Sequence, residues 1–485
     1  MCLAHQRDRV GDVLEDVLHY DRVERRVGKR QRLIDIPEDH VATRLGGSRH
    51  RVRRAIDAGV AGKVLGQPRS PATDIEQFRV GGKVARHVAE VPRLRVPVEI
   101  AHEGGYRTIC PLPVPEHVAL NALFLAPGVS GGPETYLRGL APALAAGFPM
   151  LRLTIVTTGS GAAFLRELGF SDFAQLHALR CEEGQRARRL LAEQVLLPRA
   201  ARSAGAQLIH SLASTAPRYP RLPAVITLHD VTFLRIRTFG AMTTFGMRTV
   251  IAAPARHADV LLSGSAAARD EVCERLGLDP TRFLVVPHGH GRTITAEPVP
   301  EAELRSRYRL EGVRVVLCVA AKRPHKNQAV LVRAAAQLEA DIVVVLVGQA
   351  EPYDATLRTI ANELGVEDRI RFVEPVGDGE LEGLWRLADC FAFPTLGEGF
   401  GIPLLEAMDH GLAVACSDLP VLHEVGGDLP VFFDPHEPDD AARAIRLALS
   451  DKARAAMGPA HAALFTWERA AQGTYSAYER ALVAA

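Results

Sequence analysis

The chain has 485 residues, of which 47% are hydrophobic and 24% charged, and a net charge of +1. That length accommodates two or three domains, and the composition is that of an ordinary globular protein. A balanced charge provides no global field favouring nucleic acid. The seven cysteines are spread widely, odd in number and without a C-x-x-C, which argues against a disulfide framework or a cysteine metal site and for a reducing cytoplasm. No apolar run approaches the roughly 18 residues of a membrane span, and the first ten residues lack the apolar core of a signal peptide.

Residues 1–117 stand apart. They carry R-V-E-R-R-V-G-K-R-Q-R and S-R-H-R-V-R-R, interrupted by Gly and Pro, with no sustained helical or strand period. The expectation is a low-order or spurious basic extension, with the working protein beginning near Val118. The competing reading is a basic arm for an anionic membrane or a nucleic acid.

From Val118 the character changes. The apolar run 119–126 reads as a buried strand, and P-G-V-S-G-G-P-E-T-Y-L-R follows it. Strand, Gly131 and Gly132, then helix make a loop that a phosphate or sugar can approach. Further strand runs lie at 151–157, 207–210, 224–228, 260–263 and 283–287, with helical stretches between them. Alternating strands and helices argue for a parallel, doubly wound sheet. His229 directly follows the run 224–228, beyond a strand carboxyl end, where such sheets bind ligands. Two basic segments, 185–202 and 233–256, space apolar residues helically beside arginines. They read as core-facing helices with a solvated Arg face; the alternative is contact with an anionic membrane.

T-A-E-P-V-P-E, after P-H-G-H-G at 287–291, breaks the periodicity and reads as an interdomain linker. A second alternation has strand runs at 313–320, 342–348, 371–373, 389–394, 412–416 and 431–433. Thr466 is placed to cap a last helix from Trp467 to about residue 481.

The most informative stretch is F-P-T-L-G-E-G-F-G-I-P-L-L-E-A-M at 393–408. A buried strand runs into Gly397, Glu398, Gly399, Phe400 and Gly401, a loop whose tightness requires glycine. Pro403 then suits a first helical turn. Backbone N–H groups and the positive end of a helix make an anion site, suited to phosphate. Glu398 and Glu406 flank it, and carboxylates accept hydrogen bonds from hydroxyls. Amides for phosphate and carboxylates for hydroxyls together suit a nucleotide sugar.

G-E-G-F-G-I-P-L-L-E-A-M resembles the E-x7-E signature of retaining glycosyltransferases of the GT-B class, family 4, which includes sucrose and glycogen synthases and bacterial mannosyltransferases. The likeness continues through residues 411–428. It implies an α/β fold of two doubly wound Rossmann-like domains facing a cleft: an acceptor-side domain at 118–291, a nucleotide-sugar donor domain at 292–465, and a terminal helix at 466–485 crossing back to the first. It implies retaining transfer of a sugar from a nucleotide-diphosphate sugar to a glycan or lipid-linked acceptor, in cell-surface polysaccharide or glycoconjugate synthesis. The catalytic group would be His229, Glu398 and Lys326. Donor binding would fall to Glu406, Lys322, Arg323, Asn327, Gly399, Phe400, Gly401, Gly131 and Gly132. Ser265, in L-S-G-S, matches a helix-start serine of the family. With no Asp-x-Asp in the sequence, neither metal nor cofactor is expected. The expected place of work is the cytoplasm, with peripheral contact at the inner face of the membrane and no nucleic-acid partner.

Two departures stand out. The family's loop G-R-x-x-x-x-K-N reads A-A-K-R-P-H-K-N here, so the Gly and Arg positions fall on Ala320 and Ala321. Lys322 or Arg323, one or two positions late, is expected to replace the missing guanidinium. Glu374 stands where relatives often carry Gly in the segment lining the base, which leaves UDP and GDP both open. Two alternatives are another GT-B nucleotide-sugar enzyme, such as an epimerase or phosphorylase, and a weakened transferase kept as a binding partner. A phosphorylase would need a cofactor lysine, for which no motif is evident; the alanine pair permits the weakened transferase.

Overall fold

A computed structural model describes residues 114–181, 186–235, 241–291 and 297–484, with the backbone of five short strands further upstream. The chain divides between Leu112 and Pro113 into two units. In the first, β1 Gly62–Lys63, β2 Ile75–Val80 and β3 Lys83–Val88 pair antiparallel, and β4 Val98–His102 and β5 Gly105–Ile109 form a hairpin. The rest of the expected basic extension lies outside the described residues.

The second unit holds two parallel sheets. The first comprises β6 His117–Asn121, β7 Arg152–Thr157, β8 Ala174–Ala178, β9 Leu208–Ser211, β10 Ala224–Thr227, β11 Val260–Ser263 and β12 Phe283–Val285, in the order β12-β11-β10-β9-β6-β7-β8. The second comprises β13 Arg314–Val319, β14 Ile342–Val347, β15 Ile370–Val373, β16 Cys390–Phe393, β17 Ala413–Ser417 and β18 Val431–Phe433, in the order β15-β14-β13-β16-β17-β18. Parallel strands are covered on both faces, which is why β9, β10, β11, β14 and β16 read as short, wholly buried runs. β8 is the exception. It is an edge strand, A-Q-L-H-A, with only its first residue buried, and its polar pattern hides it in the sequence.

In each sheet the strand order reverses once, between β6 and β9 and between β13 and β16. Those switch points open a crevice at the strand carboxyl ends. Among the helices packed around the two sheets are α1 Gly132–Gly147, α2 Arg186–Ser203, α3 Thr232–Arg235, α4 Ala266–Leu276, α5 Ile402–Asp409 and α6 Trp467–Ala484. α6 belongs by packing to the first sheet. Its Ala470, Ala471, Ala477, Tyr478 and Ala481 are buried in one cluster with Val118, Leu120, Tyr136 and Val260. The Thr466 hydroxyl accepts from the Arg469 N–H at 3.2 Å, capping this helix.

The two sheets meet through their carboxyl-end loops. Arg138 of α1 pairs with Asp378 at 2.7 Å, and the amides of Ala266 and Ala267 donate to the Glu424 carboxylate at 2.7 and 2.9 Å. Ser265 caps α4 by accepting from Ala268 N–H and donates its own hydroxyl to Gly399 O at 2.9 Å.

Candidate functional site

The loop between β16 and α5 is shaped by two glycines with separate physical reasons. Gly401 caps α5 with φ +99°, a left-handed conformation. At Gly399 the need is space, because a Cβ there would lie 2.0 Å from His229 O. The loop is stitched to the one after β13: Leu396 N–H donates to His325 O at 2.8 Å, and the Asn327 side-chain amide donates to Pro394 O and Pro435 O at 3.1 and 2.7 Å. Asn327 therefore fastens the loop after β13 to the glycine loop and to the segment after β18. Its own backbone is left-handed, at φ +55°.

Glu398 projects from this loop and pairs with Lys326, both side chains mostly buried. Glu406 is buried too, and although its place just after the glycine loop suggests a first helical turn, it lies in the second. α5 begins at Ile402, so Glu406 is its fifth residue, and the first turn has no acid. The helix dipole acts within the first turn, so it is a poor explanation for a carboxylate at this depth. Phe400 is buried between His288 and Phe465, at ring distances of 4.8 and 5.8 Å, so its side chain packs the loop in place. Gly131 and Gly132 open α1 with empty space in front of both Cα atoms.

The two residues expected to make good the missing arginine are both engaged elsewhere. Lys322 has 0% exposure; its ammonium donates to Gly348 O and to Val373 O at 2.9 Å, at the ends of β14 and β15. Burial pushes its pKa down, and Asp354 at 3.8 Å works against that. Arg323 is held by Glu351 at 2.6 Å. In this structure neither cation reaches the glycine loop.

His229 lies under the loop, and its hydrogen bonds assign its tautomer. Nε2 is 2.7 Å from Leu212 O, which only accepts, so Nε2 carries the proton. Nδ1 is then left to accept from His288 Nε2 at 3.3 Å. His288 Nδ1 has no partner among the described residues. His288 belongs to P-H-G-H-G, the segment just before the expected linker, and nothing in the sequence marks it as the partner of His229. Burial lowers the pKa of both rings, His288 well below the ordinary value. Below them His210 bridges Tyr478 OH and Thr227 Oγ1, each at 2.8 Å, and burial holds its pKa down at about 3.

These three rings make the fold acid-sensitive. Each is neutral when folded and would titrate near 6.5 when unfolded, so the unfolded chain takes up more protons once the pH drops below that value. The stability they support is complete above pH 6.5 and is lost progressively on acidification, down to about pH 3 for His210. Each contributes a slope of up to about 1.4 kcal/mol per pH unit. Thermal melts should show a falling midpoint from pH 6.5 to 5; a midpoint constant over that range would contradict the neutral assignment.

On the outer side of the first sheet, α2 buries Ala192, Glu193, Leu197, Ala200 and Ala201. Arg188, Leu191, Val195, Leu196, Arg199 and Arg202 face outward, with Leu191 64% exposed. The segment 216–221 lies alongside, tied by Gln194 to Ala216 O and Arg218 N, and it exposes Arg218, Tyr219 and Arg221. The only acid in residues 186–223 is Glu193, which is buried. The helix is core-facing, as the first of the two sequence readings expects, and it presents leucine and valine among its outward arginines. Among the described residues, no helix is long and apolar enough to cross a membrane, and no group of three His, Cys, Asp or Glu is arranged to hold a metal.

Two doubly wound parallel sheets meeting at their carboxyl ends, with a glycine loop and paired charges at the seam, define the GT-B class. Residues 130–290 match the family model Glycosyltransferase Family 4, and residues 301–462 match Glycosyl transferases group 1. The two matches cover most of both sheets, so the chain carries a glycosyltransferase Family 4 domain followed by a glycosyl transferases group 1 domain. It is 35% identical over 170 residues to a D-inositol 3-phosphate glycosyltransferase of Corynebacterium jeikeium, covering 32% of this chain and 40% of that protein. It is 31% identical over 241 residues to the serotype-specific mannosyltransferase WbdA of Escherichia coli, covering 46% of this chain and 29% of the relative. The chain thus spans less than two thirds of the curated relatives it matches. Among solved structures, Anabaena Alr3699/HepE in complex with UDP and glucose superposes with a TM-score of 0.60 at 19% identity, covering 75% of this chain and 99% of that one.

Proposed function

We propose that the protein transfers a sugar from a nucleotide-diphosphate sugar to a hydroxyl of a glycan or lipid-linked acceptor, with retention at the anomeric carbon. The observation that carries this reading is the Lys326–Glu398 pair held beside a glycine-capped helix start. A relative structure in complex with UDP and glucose, on the same fold, supports a donor of this kind. The acceptor oxygen forms a bond to the anomeric carbon as the bond to the β-phosphate oxygen breaks. The electron pair, and then the acceptor's proton, leave with the nucleoside diphosphate. Lys326 and the helix end stabilise the charge that develops on the leaving group. Glu398 holds sugar hydroxyls and Glu406 the ribose hydroxyls. No metal takes part, because fixed positive groups do the work a divalent ion would do. A thermal-shift screen over nucleotide sugars, followed by donor turnover with and without excess EDTA, tests this. Stabilisation by one UDP- or GDP-sugar and EDTA-resistant turnover are expected. Loss of turnover in EDTA, restored by manganese or magnesium, would overturn the metal-free mechanism, and indifference to every nucleotide sugar would overturn the function.

The outward face of α2 supports a place of work at the cytoplasmic face of an anionic membrane, in synthesis of a surface polysaccharide or glycoconjugate. Arginines flanking Leu191 and Val195, with no exposed acid in residues 188–223, complement anionic headgroups and an apolar layer beneath them. Sedimentation with phosphatidylglycerol vesicles, but not with phosphatidylcholine vesicles, is expected. Leu191→Glu with Arg199→Glu should abolish it while leaving turnover of a soluble acceptor unchanged. Undiminished sedimentation of that variant would sink the assignment.

A further inference from the structure

We infer that Arg235, from the first sheet's side of the seam, supplies the second cation of the diphosphate site in place of the arginine missing at Ala321. The inference rests on the glycine loop being that site. Four observations carry it. The loop after β13 offers one cation at the seam, Lys326, because Lys322 is bound by strand-end carbonyls and Arg323 by Glu351. A diphosphate bears more charge than one ammonium meets, and a guanidinium matches phosphate oxygens two at a time. Arg235 lies directly against the loop: a Cβ on Gly397, the residue before Glu398, would come 2.6 Å from Arg235 Nη2. The same Cβ would come 2.9 Å from Thr232 Oγ1, a hydroxyl buried without a partner among the described residues. The Arg235 side chain is 36% exposed, and its sole ion-pair partner among the described residues is Glu271 at 3.9 Å, a loose contact.

The local fold aims it there. The Asp230 carboxylate accepts from Thr232 N–H at 2.9 Å and starts α3, whose single turn points Thr232 and Arg235 at the loop. Glycine at 397 is what leaves room for the guanidinium. The donor diphosphate would then be gripped from both sheets, with Lys326 on one side and Arg235 on the other, and the grip would depend on the seam being closed.

The test is calorimetric titration of the full chain with UDP, UMP, GDP and GMP. For the base it prefers, the wild type should bind the diphosphate more tightly than the monophosphate. Arg235→Ala should shrink that ratio at least tenfold, with monophosphate affinity changed less than twofold. Gly397→Ala should do the same by displacing the guanidinium. Glu271→Ala should leave the ratio unchanged, which a merely structural Arg235–Glu271 pair would not predict if Arg235→Ala lowers it. Melting temperatures within a few degrees of wild type certify the fold of each variant. A full ratio in a folded Arg235→Ala, or equal loss of both nucleotides, overturns the role of Arg235 alone. A wild type that binds neither diphosphate overturns the reading of the loop and Arg235's role with it.

Discussion

Glu398→Ala should lower turnover at least tenfold while changing the apparent donor affinity little. The carboxylate is the one acid projecting from the glycine loop, and its side chain is 14% exposed and paired with Lys326. A hydrogen bond from a charged group in such surroundings is worth roughly 1.5–3 kcal/mol, and each 1.4 kcal/mol is a factor of ten. Two effects oppose each other in the ground state. Sugar hydroxyls lose their acceptor, whereas Lys326, freed of its partner, binds the diphosphate more strongly. In the transition state the sugar is developing positive charge, and the loss of a nearby carboxylate is uncompensated. The cost should therefore fall on turnover, and Glu398→Gln should lie between wild type and alanine. Glu406→Ala, acting on the nucleotide, should instead raise the donor KM. Steady-state kinetics separate the two, and wild-type values for both variants would remove the carboxylates from the site.

The second large effect is structural. Tyr478→Ala should destabilise the fold by about 3–5 kcal/mol, as expected when a fully buried aromatic side chain is deleted. Tyr478 is 0% exposed in the core of the first sheet, and its hydroxyl meets His210 Nδ1 at 2.8 Å. Removing it opens a cavity and leaves a buried imidazole nitrogen without a partner. Tyr478→Phe should cost about 1–3 kcal/mol, the part due to the orphaned nitrogen. Chemical denaturation of the two variants measures both figures. A Tyr478→Ala protein as stable as wild type would mean that α6 is not integral to the first sheet's core.

The fold was legible because parallel strands buried on both faces write themselves as short apolar runs. β11 and β18 fall on the expected residues, and most of the others lie within about two residues of expectation. β6 stops at Asn121, short of the run 119–126, because Ala122 onward is buried loop leading to α1. β8 escaped because a half-covered edge strand needs few apolar residues. The glycine loop was legible because Gly, Glu, Gly at fixed spacing state a backbone constraint and a chemistry together. What the sequence withheld was pairing at a distance. Nothing local shows that the Lys322 ammonium fits the carbonyls that end β14 and β15, or that His288 donates to His229, 59 positions earlier. Arg235 is hidden for the same reason, since it meets Gly397 only after two sheets have formed and closed. A charge in a sequence has a type but no direction.

The docking of α6 has a consequence for how the molecule comes into being. The Tyr478–His210 contact joins residues 268 positions apart, and Gly139 and Gly289 both lie against Trp467, where a Cβ on either would meet that residue at 2.0 or 2.4 Å. Synthesis proceeds from the amino end, so the first sheet emerges long before the helix that seals it. Through the time needed to make the entire second sheet, its apolar face waits uncovered, a state prone to association with other chains. The second sheet has no such wait and can close on its own helices as it appears. The part of the protein made first is thus finished last, and a ribosome that stalls between residues 300 and 460 would hold a nascent chain whose earliest domain still lacks its final wall.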